Sequence, residues 1–187
     1  LIGSLAVDCP FTGKGNIRVK RFDGHIWATT DSGTIEVAQV TQSVTAMING
    51  TGSIVCDQCK GPINAWTRYG DINMQQSVDS VIASTDKGNI TFYAHMIPGT
   101  SSIELDAAGS VIAYLPDETN AHIRAQSLQG KIHSEHEITL ASQTTKLNDA
   151  TWAQLRRNVE GTLGTGEAEI SLASRYGSVK IVSTEEV

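Results

Sequence analysis

The chain has 187 residues, enough for one domain with a sizeable core, and carries 14 Lys and Arg against 20 Asp and Glu, a formal charge of −6. That balance argues against nucleic acid or an anionic membrane as partner, and no apolar run of about 18 residues is present to cross a bilayer. With 18% charged residues, 5% aromatics and 17 glycines, the composition excludes both a disordered chain and a helical bundle.

Leu1 stands where an initiator Met would, as expected of a processed or truncated product. From there the elements are set by a repeat. Gly-x-Ile/Val recurs at Gly15, Gly33, Gly52, Gly70, Gly88, Gly109 and Gly130, in steps of 18, 19, 18, 18, 21 and 21 residues, with further copies at Gly24, Gly61 and Gly177. Two places after the main glycines stand Ile17, Ile35, Ile54, Ile72, Ile90, Val111 and Ile132. Four places after them stand Val19, Val37, Cys56, Met74, Phe92, Ala113 and Ser134. A third column, with slippage at the corner, reads Phe22, Val40, Cys59, Val78, Ile97, Leu115 and Ile138. Opposite run Ile26, Val44, Ile63, Val81, Ile103 and Ala121, then Ala28, Ala46, Ala65, Ala83, Leu105 and Ile123.

Polar residues alternate with these columns, which is the period of a strand and not of a helix. A single coil cannot bury its inward row. Coils stacked about 4.8 Å apart can, each pairing with its neighbours above and below. The pattern therefore predicts an all-β, single-stranded parallel β-helix of seven or eight coils, right-handed by the crossover preference. A β-sandwich with turns every 8–12 residues is the competing fold. The whole chain reads as one solenoid domain: regular coils over 1–138, an irregular insert over 139–166, and a terminal coil over 167–187. Within the insert, 148–157 predicts a short helix or loop capped at Asn148 or Asp149, Gly161 to Gly166 a flexible stretch, and Trp152 with Leu155 a cover for the open end of the core.

Tyr114-Leu115-Pro116-Asp117, followed by Asn120-Ala121-His122-Ile123-Arg124-Ala125 and Gly130-Lys131-Ile132, resembles a block of the bacterial adhesin-like family DUF4097, which is built of repeated Gly-Asp/Asn-Ile units. The close, from Gly161-Thr162-Leu163-Gly164-Thr165-Gly166 through Ile170-Ser171-Leu172 to Tyr176-Gly177-Ser178-Val179-Lys180-Ile181, resembles that family's terminal pattern. The resemblance implies a β-helical, non-catalytic domain of the bacterial cell envelope, in the periplasm or on the cell surface, and carries no catalytic residues with it.

Candidate chemistry is sparse. Cys56 and Cys59 fall in inward columns and read first as core packing; a disulfide loop between them, or half a metal site, are the alternatives. His133 and His136 beside Glu135 and Glu137 read as a solvated turn. Glu104 and Asp106, with Arg124 one coil further on, form the best acidic cluster and read as a surface ion pair. No metal or cofactor is expected. The informative feature is apolar: Trp27, Met47, Trp66 and Ile82 fall at outward positions, where they predict a face for a protein or glycan partner, or for a second copy of the chain. The expected function is non-catalytic binding or display. A carbohydrate-active β-helix enzyme and a self-assembling scaffold are the alternatives.

Overall fold

The computed structural model describes residues 3–8, 14–77, 80–140 and 157–184. They form eighteen strands in two sheets and no helix. One sheet has ten strands, in the spatial order β1 (Gly3–Asp8), β3 (Gly24–Thr30), β5 (Val44–Thr51), β7 (Ile63–Tyr69), β9 (Ser80–Lys87), β11 (Ser102–Ala107), β17 (Ala168–Ser174), β13 (Ala121–Ser127), β16 (Asn158–Leu163) and β15 (Thr139–Leu140). The other has eight: β2 (Ile17–Phe22), β4 (Ile35–Val40), β6 (Ile54–Asp57), β8 (Ile72–Ser77), β10 (Ile90–Met96), β12 (Val111–Pro116), β18 (Val179–Thr184) and β14 (Ile132–Ser134). All pairings are parallel except those that β16 makes with β13 and β15. The chain is thus the parallel β-solenoid that its repeat predicts, with an antiparallel pair added at one end.

The stacked columns follow the repeat. Ile17, Ile35, Ile54, Ile72, Ile90 and Val111 lie in direct register and are buried. Each buried aliphatic of this size stabilises by roughly 1.5–3 kcal/mol. The corner slippage also has a cause. Arg21, Gln39 and Gln58 adopt φ of 55°, 56° and 50°. One left-handed residue at the same place in three successive coils switches the strand's parity, so Phe22, Val40 and Cys59 turn back to the core three places after Val19, Val37 and Cys56. Val78 lies outside the described residues.

Glycine at the other corner is required by the stack spacing. A Cβ on Gly52 would come within 1.8 Å of the Gly33 carbonyl oxygen, and one on Gly70 within 1.7 Å of the Gly52 oxygen. Beside this ladder runs a buried hydroxyl ladder. Thr67, Thr85, Ser174 and Ser127 donate to the carbonyls of Gly52, Gly70, Gly109 and Gly177 at 3.2, 2.9, 2.7 and 2.9 Å. Where Ala107 interrupts it, Gly88 O accepts the Gly109 amide at 2.8 Å instead. The variable residue of Gly-x-Ile also ties neighbouring coils together. Asn16 Oδ1 accepts the Thr34 amide at 2.9 Å, and Asn89 Oδ1 the Ser110 amide at 2.8 Å.

Three expectations need correction. The coil formed by β17 and β18 is not terminal in the stack; it lies between β11–β12 and β13–β14. Ile103 is followed in its column by Ile170 and then Ile123, not by Ala121, so the expected alignment of that face is two residues out. A shift of two keeps the same face inward, which is why the pattern could not reveal it. Gly161 to Leu163, expected to be flexible, belong to β16, where Leu163 pairs with Ala121. The short helix expected over 148–157 and the cover formed by Trp152 and Leu155 fall mostly or wholly on 141–156, outside the described residues.

Candidate functional site

The four outward apolar residues sit on the outer face of the ten-stranded sheet, on β3, β5, β7 and β9. The register divides them between two adjacent columns. Met47 pairs directly with Trp66. In the neighbouring column Trp27 opposes Thr45, Thr45 opposes Asn64, and Asn64 opposes Ile82. Met47 and Trp66 are therefore a cross-strand pair, while Trp27 and Ile82 meet that pair diagonally.

Their exposures differ in a way that matters. Trp27 is 61% exposed and Ile82 47%, whereas Met47 and Trp66 are half-buried. The Trp27 Nε1–H donates to Thr29 Oγ1 at 3.1 Å, so the indole leans along its own strand. Trp66 is occupied by its neighbour: the Arg68 guanidinium lies 5.9 Å from the ring centroid. Tyr69, at the end of β7 and 42% exposed, carries the Lys87 ammonium 5.2 Å from its ring. Trp27 is thus the aromatic on this face with an uncovered ring. Trp66 and Tyr69 each hold a cation against the ring.

Further along the same face the surface becomes polar. Glu104 opposes Ser171, and Ser171 opposes Arg124, so the expected neighbours Glu104 and Arg124 are separated by a whole strand. Arg124 instead reaches Glu160 at 3.2 Å, and Asp106 reaches Arg175 at 3.7 Å. His122 lies 3.7 Å from Glu160 and 3.4 Å from Glu169, one on either side of its strand. On the other sheet Arg18 and Glu36 form a two-pronged pair at 2.5 and 2.9 Å. The hydrogen bond to Arg18 holds the Glu36 carboxyl below its usual range and raises the guanidinium in return. Among the described residues no three His, Cys, Asp or Glu side chains converge to hold a metal ion.

Cys56 and Cys59 are both in the core, each 1% exposed. Burial, and then the neighbouring Cys59, push the Cys56 thiol far above its ordinary range, so it is an unreactive apolar filler. The Cys59 Sγ lies 3.6 Å from Asp57 O and 3.9 Å from Val37 O.

One feature escaped the sequence reading. Tyr93 and Tyr114 stack on the outer face of the eight-stranded sheet, with ring centroids 3.8 Å apart and planes 4° from parallel. The hydrogen bond to Tyr114 raises the Tyr93 hydroxyl above its ordinary range. The signal was available: both stand five places after a corner glycine, Gly88 and Gly109, and so fall in one outward column. An open cleft of about 980 Å³ borders this stack, lined among others by Met96, Pro116, Asp117 and Glu118. Of the two rings only Tyr93 lines this cleft, and each ring covers one face of the other.

In comparisons with known proteins, no family model matches the chain, no curated protein matches it, and no solved structure matches it.

Proposed function

We propose that this chain is a non-catalytic surface domain, adhesin-like in kind and belonging to the bacterial cell envelope, that binds a protein or glycan through the outer face of its ten-stranded sheet. The observation that carries the reading is Trp27: a 61% exposed indole on a rigid sheet, continuous with Met47, Trp66 and Ile82. Large apolar side chains grouped on one outward face fit a contact surface. A rigid solenoid also binds at low entropic cost, since the face is already ordered. On this face the carboxylates of Asp106 and Glu160 are engaged by Arg175 and Arg124.

The test is a pair of substitutions, Trp27→Ser and Trp66→Ser, followed by sedimentation and glycan-array binding. Loss of binding in either assay with an unchanged circular dichroism spectrum supports the proposal. Unchanged behaviour in both removes it.

A further inference from the structure

The coil β17–β18 comes later in sequence than both coils that enclose it. It is paired in parallel on each side: Ile170 between Ile103 and Ile123, Leu172 between Leu105 and Ala125, and Val179 between Val111 and Ile132. Ile170, Leu172, Val179 and Ile181 are buried. The corner glycines agree with that order, since a Cβ on Gly177 would press within 2.5 Å of Gly109 C and one on Gly130 within 1.9 Å of Gly177 O.

The segment is joined to β16 by residues 164–167, which cross the start of β13. Gly164 and Gly166 take φ of 55° and 77° there. Asn120 clasps the crossing, its Oδ1 accepting the Thr165 amide at 3.2 Å and its carbonyl the Ala168 amide at 3.0 Å. Everything else that binds the segment belongs to the slot: two sheet edges on each side, matched columns, and the Gly109 carbonyl that takes the Ser174 hydroxyl. None of these contacts depends on which polypeptide supplies the coil. An empty slot would leave four strand edges unpaired, and such edges recruit a strand of matching pattern.

We propose that the slot between β11–β12 and β13–β14 is an interaction site for the same segment, residues 168–184, of a second copy of this chain, so that copies can be linked by exchanging one coil. The proposal is independent of the Trp27 face. It is tested on the full chain with a protease site inserted between Gly164 and Thr165. After cleavage, a fluorescent peptide spanning 166–184 is added in excess. The expected result is that the cut chain stays folded and takes up the labelled peptide. The same peptide carrying Ile170→Glu should bind at least about 100-fold more weakly, because its carboxylate would enter the core column. The uncut chain, refolded from urea at rising concentration, should give a growing dimer fraction that the Ile170→Glu chain does not form. A cut chain that remains folded yet never takes up label overturns the proposal, whether its own coil stays locked in place or β13 closes directly onto β11. So does equal uptake of the Ile170→Glu peptide.

Discussion

Replacing Gly52 by Ala adds one methyl group at the most crowded point of the stack. Its Cβ would lie 1.8 Å from Gly33 O and 2.8 Å from Gly33 C, both backbone atoms that no rotamer change can move. Restoring ordinary contact requires the two coils to part locally by about 1.6 Å, a third of their spacing of about 4.8 Å. Two hydrogen bonds span that gap, Gly33 N to Thr51 O and Ile35 N to Ser53 O, each 3.0 Å long. Losing both, each worth about 1 kcal/mol net, and loosening the Ile35–Ile54 contact beside them predicts destabilisation of about 2–4 kcal/mol. Helix and turn propensities would predict the opposite sign, since Ala restricts the unfolded chain more than Gly does. Urea unfolding followed by circular dichroism measures the shift. The matched control is Gly99→Ala, whose Cβ would come nearest the Glu167 carboxylate oxygen, at 2.7 Å, which can swing away, and the Glu167 Cβ, at 3.2 Å, which need give only a few tenths of an ångström. If Gly52→Ala unfolds within about 0.5 kcal/mol of the parent, the glycines do not set the spacing and the argument is wrong.

Removing the Thr85 hydroxyl by Thr85→Val keeps the shape but leaves Gly70 O without its donor at 2.9 Å, which should cost about 1–2 kcal/mol in the same assay. Adding a hydroxyl by Ala107→Ser should gain little, because Gly88 O already accepts the Gly109 amide. The Cys56 thiol, raised by burial above its ordinary value near 9.0, stays protonated in the fold while the unfolded chain ionises. Its contribution is therefore fully present below pH 9 and lost as pH rises further, by up to about 1.4 kcal/mol per pH unit. Unfolding curves between pH 8 and 10.5 should fall less steeply for Cys56→Ala than for the parent, and parallel curves would contradict this. Acrylamide should quench Trp27 more than Trp66, so Trp27→Phe should remove more of the quenchable fluorescence than Trp66→Phe, whose indole lies half-buried beside Arg68.

The architecture was legible because its cause is local and repeated. Ile35, Ile54 and Ile72 could be aligned from glycine spacing alone, and the structure places them in direct register. The outward positions of Trp27, Met47, Trp66 and Ile82 followed from the same alternation. What alternation could not say is how those side chains share the face. The covering of Trp66 by Arg68 depends on side-chain conformation, whereas the opposition of Met47 to Trp66 was implied by the alignment of Ala46 with Ala65. The positive-φ residues Arg21, Gln39 and Gln58 were visible only as slippage, since none is a residue type that announces a left-handed turn. The order of the last coils was not legible, because every coil carries the same inward pattern. Val179 fits between Val111 and Ile132 as well as it would beyond Ile132.

Something other than the core must therefore fix that order, and the antiparallel strand supplies it. β16 lies along the outer edge of β13 and ends at Leu163, opposite Ala121, so the chain emerges at the point where β13 begins. Five Cα steps separate Leu163 from Ala168 and can span at most about 17 Å. The free positions within that reach are the slot on the inner side of β13, about 9.6 Å away across one strand, and the far side of β15. Among the described residues β15 comprises Thr139 and Leu140, and no coil lies on that side for β18 to join. The inner slot offers β11 and β13 along their length, and β12 and β14 for the strand that follows. Once β16 has occupied the outer edge of β13, a short crossing and two long partners favour intercalation over extension. The coil of β17 and β18 is accordingly intercalated, beside an edge of β13 that β16 holds in antiparallel register.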